Sequence, residues 1–187
     1  MKYITGFFVL IWRIWMILLA AIYVLTIGVF IVLPLASFEK TFPYIYPLIR
    51  YWGKFVLYGT GFRIDYKKLV PLDPKENYVF IANHTSVMDI MLMLTILKHH
   101  PIVFVGKAEL LKIPIFGRIF ERICIPVDRK SARSKALVYP EAKKKLDKDL
   151  SIFIFPEGGV TNDKEFKIYL DPFKDGAFNI AIETKTP

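Results

Sequence analysis

The run from Ile14 to Phe38 contains no charged residue and consists mostly of aliphatic and aromatic side chains. A helix needs roughly 20 apolar residues to cross the hydrocarbon core of a bilayer, so this run is long enough to do so. A cleaved signal peptide explains it poorly, because the apolar part of such a peptide is about 7–15 residues long and is followed by a small-residue cleavage site. The run therefore predicts that the N-terminus is embedded in a membrane.

The next segment, Phe42 to Phe62, has the composition of a membrane–water boundary. Aromatic side chains alternate there with Arg50 and Lys54, and both kinds of side chain are typical of the headgroup level. The aromatic residues are Tyr44, Tyr46, Tyr51, Trp52, Phe55 and Tyr58. Two anchors fit this pattern: one transmembrane helix, or two helices that dip into one leaflet. Lysine and arginine are denser after the apolar run than before it, which predicts that the rest of the chain lies on the cytoplasmic face of the cell membrane.

The length and charge of the whole chain predict one domain with an anionic partner. The 187 residues are enough to bury a core, and the formal net charge is +9. Nucleic acid, anionic lipid and a phosphate-bearing substrate would each suit this charge. The only cysteine is Cys124, so the chain has no internal disulfide and no cysteine-based metal cluster.

After the anchor, assigned to residues 1–60, the pattern changes to alternating strands and helices over residues 61–187. The predicted strands are Phe62–Tyr66, Tyr78–Ala82, Ile102–Val105, Ile123–Val127 and Ser151–Phe155. The predicted helices are Val87–Leu97, a stretch from Gly106 that resumes from Pro114 to Glu121, Ser131–Lys148 with an interruption near Pro140, and Ala177–Glu183. This alternation predicts an α/β fold with a mainly parallel sheet and flanking helices.

One candidate site lies where the strand Tyr78–Ala82 gives way to the next helix. His84 follows that strand, and Asp89 follows five residues later. On one helix this offset would separate the two side chains by roughly 140°, so they can meet only if His84 precedes the helix and Asp89 lies in its first turn. Asp89 would then orient an imidazole that acts as a base. The same residues also fit a capping box, with Ser86 as N-cap and Asp89 three positions later.

Two further strand ends carry polar residues. Arg129 follows Ile123–Val127, and Glu157-Gly158-Gly159 follows Ser151–Phe155. The carboxyl ends of parallel strands meet at one edge, so we expect His84, Arg129 and Glu157 to face one crevice. Arginine suits bidentate recognition of phosphate or carboxylate, and glycines let a backbone approach a ligand closely. A solvated helix start and an ordinary turn would explain the same residues.

Together these motifs resemble, in order and spacing, those of the glycerolipid acyltransferase family. The resemblance rests on Asn83-His84-Thr85-Ser86-Val87-Met88-Asp89, on Lys107 to Gly117, on Pro126-Val127-Asp128-Arg129 and on Phe155-Pro156-Glu157-Gly158. It covers the chain from about Phe62 to the end, and the bacterial 1-acyl-sn-glycerol-3-phosphate acyltransferase branch, also called lysophosphatidate acyltransferase, is the most similar. It implies an O-acyltransferase that moves a fatty acyl group from a coenzyme A or acyl carrier protein thioester to the sn-2 hydroxyl of lysophosphatidic acid, forming phosphatidic acid. No cofactor is implied.

The resemblance also assigns roles. His84 would be the base, and Asp89 would fix its tautomer. Arg129 would hold the acceptor phosphate with help from Lys107, while Glu157 would bind a hydroxyl or orient Arg129, beside Gly158. Cys124 is expected to be buried and inert, and no Gly-x-Ser-x-Gly motif is present. These features favour direct transfer without an acyl-enzyme.

The chain departs from the family in two places. The family usually continues Phe-Pro-Glu-Gly with Thr-Arg-Ser, whereas this chain has Gly159-Val160-Thr161. The family also has an apolar block after the last helix, and this sequence stops at Thr186-Pro187, so we expect a domain shortened at its C-terminal end.

Two alternatives stay open. One is an acyltransferase for another lysolipid, such as a lyso-ornithine lipid or lysophosphatidylglycerol. The other is a non-catalytic module that binds a membrane surface or nucleic acid. The second would make His84 and Asp89 dispensable, and the absence of a nucleic-acid motif counts against a nucleic-acid partner.

Overall fold

The computed structural model describes residues 2–159 and 171–187. Its N-terminal part is almost entirely helical. Helix α1 covers Lys2–Tyr23 and continues with π-type hydrogen bonding over Val24–Val32 into the short α2, Leu33–Leu35. A 3₁₀ turn at Glu39–Thr41 then leads into α3, Phe42–Gly59.

Helices α1 and α3 pack side by side in opposite directions. The indole of Trp12 donates to the Thr60 carbonyl at 3.0 Å, and the Tyr23 hydroxyl donates to the Leu48 carbonyl at 2.8 Å. Residues 6–35 form a helix that is long and apolar enough to cross a membrane, judged by length and composition alone. Many of its large apolar side chains are exposed, Phe7, Phe8 and Phe30 among them. The N-terminus therefore presents an apolar surface that the other described residues leave uncovered.

The remaining elements alternate between strand and helix. In chain order they are β1 Val79–Ile81, α4 Met88–Ile96, β2 Ile102–Lys107, a 3₁₀ turn Ala108–Lys112, α5 Phe116–Ile123, β3 Ile125–Val127, α6 Ala132–Leu146, β4 Ser151–Ile154 and α7 Gly176–Thr184. The strands form one sheet in the order β1-β4-β2-β3, and every pairing is parallel. The predicted α/β class with a parallel sheet is confirmed.

The strand order places a crevice beside β4. The crossovers from β1 to β2 and from β2 to β3 run toward one edge, while the crossover from β3 to β4 runs back. Since such crossovers are right-handed, α4 and α5 lie on one face of the sheet and α6 on the other, where α7 packs against it. The neighbouring strands β1 and β4 thus lead to opposite faces. Ligands bind at such a switch point, outside the carboxyl ends of the strands.

The core joins the N-terminal helices to the sheet. Val103, Ile152 and Phe153 are almost fully buried at its centre, and Phe42 and Tyr46 of α3 belong to the same cluster. Helices α3 and α4 approach closely at Gly53, where an added Cβ would lie 3.0 Å from the Leu94 Cβ. Helix α3 is therefore a core element as well as part of the predicted anchor.

The structure corrects two expectations and shifts some element ends. The predicted strand Phe62–Tyr66 is wrong: the segment has no regular secondary structure and pairs with no described strand. The alternation of apolar and polar residues in this segment reflects packing on helices instead. The ring of Phe62 contacts Trp12 edge to face, and Ile64 packs beside Leu19 and Val56. The expected interruption near Pro140 is also wrong, because this proline is accommodated inside α6.

Candidate active site

The loop between β1 and α4 brings His84 and Asp89 together. His84 precedes the helix, Asp89 lies in its first turn, and the His84 Nδ1 is 3.1 Å from the Asp89 Oδ2. The imidazole stacks on the Phe155 ring, with centroids 4.0 Å apart and planes 15° apart. His84 is 9% exposed, so most of the residue is enclosed and a small part of it reaches the surface. When Nδ1 donates to Asp89, the other ring nitrogen carries a lone pair that can accept a proton.

Asp89 also organises the loop that carries His84. The same Oδ2 accepts hydrogen bonds from the backbone N–H groups of Thr85 and Ser86, each at 2.8 Å. Burial would raise the pKa of Asp89, but the hydrogen bonds from His84 and from the two amides outweigh it and hold the pKa below its usual range. Asp89 is therefore ionised at neutral pH, as a partner of the imidazole must be.

The capping and orienting alternatives for Asp89 occur together. Ser86 Oγ accepts from the Met88 N–H at 3.2 Å while Asp89 accepts from the Ser86 N–H, which resembles the reciprocal arrangement of a capping box. The predicted N-cap is nevertheless wrong, because Val87 holds that position without a side-chain cap and Ser86 lies one residue earlier. The helix itself begins at Met88, one residue later than predicted. One carboxylate thus fixes both the start of α4 and the orientation of the imidazole.

Glu157 clamps the two strand ends that flank the crevice. It is 4% exposed, and its Oε1 accepts from the His84 N–H at 3.0 Å and from the Asn83 side-chain amide at 3.1 Å. Its Oε2 accepts from the Asp171 N–H at 3.3 Å. Burial would raise the pKa of Glu157, but these three donors together with the nearby His84 lower it overall. No hydrogen bond or ion pair joins Glu157 to Arg129, so the contacts favour a positioning role over the expected orientation of Arg129.

Arg129 lies beside the glycines that follow β4. Its Nη1 would be 3.0 Å from a Cβ added at Gly159, so the guanidinium lies close to the backbone of this glycine. Burial lowers the pKa of Arg129, and the Glu109 carboxylate opposes that shift. Among the described residues Arg129 has no ion-pair partner within 4.0 Å. The half-buried cation is thus available to an anion.

A second cation, Lys174, joins Arg129 in the same cavity. Its Nζ donates to the Glu157 carbonyl at 3.2 Å and lies so near Gly158 that a Cβ there would collide with it. Gly158 has a φ of +87°, which favours glycine for a second reason. The cavity has a volume of about 540 Å³, and its apolar wall includes Val105, Val138, Ile154, Phe155 and Ile180. A charged end and an apolar wall suit a ligand that has both an anionic group and an apolar part.

Sequence reasoning missed three residues of this site. Asn83 and Phe155 both belong to the motifs that carry the resemblance, but neither motif indicates a role for them in the site. Lys174 carries no local signal, because its contact with Glu157 spans the undescribed residues 160–170. Of the residues that replace Thr-Arg-Ser, Val160 and Thr161 also lie outside the described part of the chain.

Two other predicted features are placed less centrally. Lys107 ends β2 at the same edge of the sheet, but it is exposed and pairs with Glu109 at 3.4 Å. Cys124 lies just before β3 rather than within it, and burial raises the pKa of its thiol to about 12. Such a thiol remains protonated at neutral pH and is a poor nucleophile.

Comparison with known proteins connects this geometry to one family. The acyltransferase family model matches residues 63–187. A 1-acyl-sn-glycerol-3-phosphate acyltransferase of Salmonella typhimurium is 30% identical over 68% of this chain and 51% of its own length. A chloroplastic 1-acyl-sn-glycerol-3-phosphate acyltransferase of Brassica napus is 29% identical over 75% of this chain and 39% of its own. The chain thus spans about half the length, or less, of these relatives.

A solved structure extends the likeness to the whole chain. The crystal structure of the 1-acyl-sn-glycerophosphate acyltransferase PlsC from Thermotoga maritima matches with a TM-score of 0.72 and 26% sequence identity. The match covers 100% of this chain and 73% of that one. It therefore includes the helices α1 to α3 as well as the sheet.

Proposed function

The chain belongs to the acyltransferase family, and from that premise we propose that it transfers a fatty acyl group from an acyl thioester to the sn-2 hydroxyl of lysophosphatidic acid. The product would be phosphatidic acid. The observation that carries the proposal is the contact between His84 and Asp89 at the switch point of the sheet. The names of the relatives support the choice of acceptor.

The proposed reaction begins with proton transfer, because an alcohol is a weak nucleophile until a base removes its proton. His84 takes the proton as the acceptor oxygen attacks the thioester carbonyl, and the ionised Asp89 stabilises the imidazolium. The tetrahedral intermediate collapses with cleavage of the carbon–sulfur bond. The thiolate leaves and takes the proton from the imidazolium, so His84 is neutral again at the end. No acyl-enzyme forms.

The cation pair in the cavity supports a phosphate-bearing acceptor. Arg129 and Lys174 flank the consecutive glycines 158 and 159, and neither pairs with a carboxylate among the described residues. We assign to them the phosphate contact that the missing arginine of the Thr-Arg-Ser pattern would have made. Lys107 lies at the same edge and would add a more distant charge. The apolar wall would take the first part of an acyl chain.

A membrane location supports a lipid acceptor. The exposed apolar surface of residues 6–35 would be stable in a bilayer and costly in water. We propose that this surface anchors the protein and that the α/β part lies on the cytoplasmic side. The acyl donor, a coenzyme A or acyl carrier protein thioester, would then arrive from the aqueous phase.

One assay tests the proposal. Full-length protein in detergent is incubated with lysophosphatidic acid and either acyl-coenzyme A or acyl-acyl carrier protein, and phosphatidic acid is measured. Wild-type protein should form it with at least one donor, and His84→Ala should form it about 10²–10⁴-fold more slowly. Lysophosphatidylglycerol and lyso-ornithine lipid are tested as competing acceptors. If either is acylated faster than lysophosphatidic acid, that lipid becomes the proposed acceptor. No transfer to any of the three acceptors would refute the acyltransferase proposal.

A further inference from the structure

A second cleft lies at the other end of α4 from His84. It has a volume of about 700 Å³ and is bordered by α3, by the segment that follows α3 and by the carboxyl end of α4. Five cationic side chains line it: Arg50, Lys54, Lys67, Lys68 and Lys98. None of the described residues that line the cleft is acidic. The nine residues of α4 span about 13 Å, so this cleft is separate from the candidate active site.

The cations of the cleft are not neutralised. None of them forms an ion pair with a described carboxylate. Arg50 donates to the carbonyls of Leu94 and Thr95 at 3.1 and 3.2 Å, which holds the guanidinium against the last turn of α4. Lys54 Nζ lies 5.8 Å from the centroid of the Tyr51 ring. The positive charge is therefore concentrated, partly held in place and not paired with a described carboxylate.

The cleft borders the apolar surface of the N-terminal helices. With 3.6 residues per turn, Arg50 and Lys54 lie on one flank of α3, and α1 lies on the nearly opposite flank, next to Leu48 and Trp52. Between these flanks runs a stripe of exposed aromatic rings: Tyr44, Tyr51, Phe55 and Tyr58. Tyr58 also lines the cleft. The order across the surface is thus apolar helix, aromatic stripe and cationic cleft.

We propose that this cleft binds the phosphate headgroup of an anionic membrane phospholipid. The order of the three surfaces matches a bilayer boundary, where acyl chains give way to headgroups and aromatic rings mark the transition. Each lysine or arginine near an anionic membrane surface contributes to its attraction. The inference relies on the proposed membrane location but not on acyl transfer, since the cleft would act as a lipid contact of its own.

The test measures ligand-induced thermal stabilisation of the full-length protein in a neutral detergent. Short-chain phosphatidylglycerol is the anionic probe, because it is neither the proposed acceptor nor the proposed product, and short-chain phosphatidylcholine is the neutral control. A ligand that binds only the folded state raises the melting temperature with its concentration. Wild-type protein should respond to phosphatidylglycerol at concentrations at which phosphatidylcholine has little effect.

Three matched variants locate the binding site. Lys54→Ala/Lys67→Ala/Lys98→Ala should weaken the apparent affinity for phosphatidylglycerol about tenfold or more, while the triple substitution of the same lysines by Arg should keep it. Arg133→Ala/Lys143→Ala/Lys144→Ala removes the same charge from α6, on the opposite face of the sheet, and should also keep it. An equal loss in the α6 variant would refute the cleft as the site. If both lipids raise the melting temperature of wild-type protein equally, the cleft is refuted as a site for anionic lipid. If inorganic phosphate raises it as much as phosphatidylglycerol does, a lipid is refuted as the ligand.

Discussion

Asp89 accepts three hydrogen bonds at one carboxylate oxygen, from the His84 ring and from two loop amides. Because Asp89 binds both the imidazole and the loop amides, it links the orientation of the imidazole to the conformation of the loop. Substitutions of Asp89 must therefore change stability and turnover together, and only their relative sizes can separate the two roles.

We expect Asp89→Asn to cost about 0.5–2 kcal/mol of stability, as the loss of a cap does, and to lower turnover by orders of magnitude because the tautomer of the imidazole is lost. His84→Ala should lower turnover about 10²–10⁴-fold. The double variant should be little worse than the worse single one, since the residues act as a unit. Acyl transfer and melting temperature are measured for all four proteins. Near-normal turnover of His84→Ala would refute the proposed role of His84 as the base. If the loss of turnover in the double variant equals the product of the two single losses, only the proposal that the two residues act as a unit is refuted.

Glu157 predicts a dependence of stability on pH. Its folded pKa lies below its unfolded value of about 4.3, so its contribution is complete above that value and is lost as the pH falls through the folded pKa. Glu157→Gln should therefore destabilise the protein at pH 7 and differ less from wild type near pH 3. Denaturant unfolding across this range measures the difference. Glu121→Gln, at an exposed position, is the control and should follow wild type throughout.

The cation pair predicts a selective loss of acceptor binding. Arg129→Ala and Lys174→Ala should each raise the KM for lysophosphatidic acid more than the KM for the acyl donor, because the phosphate is on the acceptor. Lys130→Ala removes a neighbouring exposed charge and should change neither. Steady-state kinetics with each substrate varied in turn provides the values. Equal changes in both KM values would indicate a structural role for the two cations.

Among the described elements, α3 links the N-terminal helices to the α/β part of the fold. It packs on α1 along one flank and on α4 along another, and the contact with α4 depends on the missing side chain of Gly53. Because α4 holds Asp89 in its first turn, the position of α3 bears directly on the site.

Gly53→Ala should destabilise the protein by about 1–3 kcal/mol, the usual cost of overpacking, because the new Cβ would lie 3.0 Å from the Leu94 Cβ and 3.2 Å from the Met91 carbonyl oxygen. Gly6→Ala in α1 is the matched control, since no atom lies within 4 Å of its added Cβ. Melting temperatures in the same detergent compare the two. A control variant that is equally destabilised would contradict the packing argument.

The whole molecule shows which kinds of feature a sequence reveals. The apolar runs that became β1, β2, β3 and β4 were found because a buried parallel strand is apolar along its whole length. His84 and Asp89 were found because their spacing makes sense only across a strand-to-helix turn. The strand predicted at Phe62–Tyr66 was wrong because packing on helices can produce the same alternation of apolar and polar residues as a strand. Lys174 could not be found, since its place depends on how the chain returns after β4.

The core that α3 forms with the sheet determines the expected effect of deleting the predicted anchor. Phe42 and Tyr46 are buried against the sheet, so deletion of residues 1–60 would expose that core. We expect the shortened protein to aggregate rather than to become a soluble enzyme, whereas the full-length protein should sediment with membranes and dissolve in detergent. Fractionation after lysis measures both. Full-length protein that stays soluble without detergent would contradict the anchor, and a monodisperse shortened protein would contradict the shared core.

The direct packing of α3 on α4 has a consequence for how a lipid reaches the site. In the proposed orientation α3 lies at the headgroup level, and its close contact with α4 at Gly53 holds the His84 loop at a fixed height above the acyl chains. An acceptor lipid would then arrive by lateral diffusion within the leaflet and present its glycerol hydroxyl without leaving the bilayer. The search would be two-dimensional, and its rate would follow the mole fraction of acceptor in the membrane rather than its concentration in bulk water.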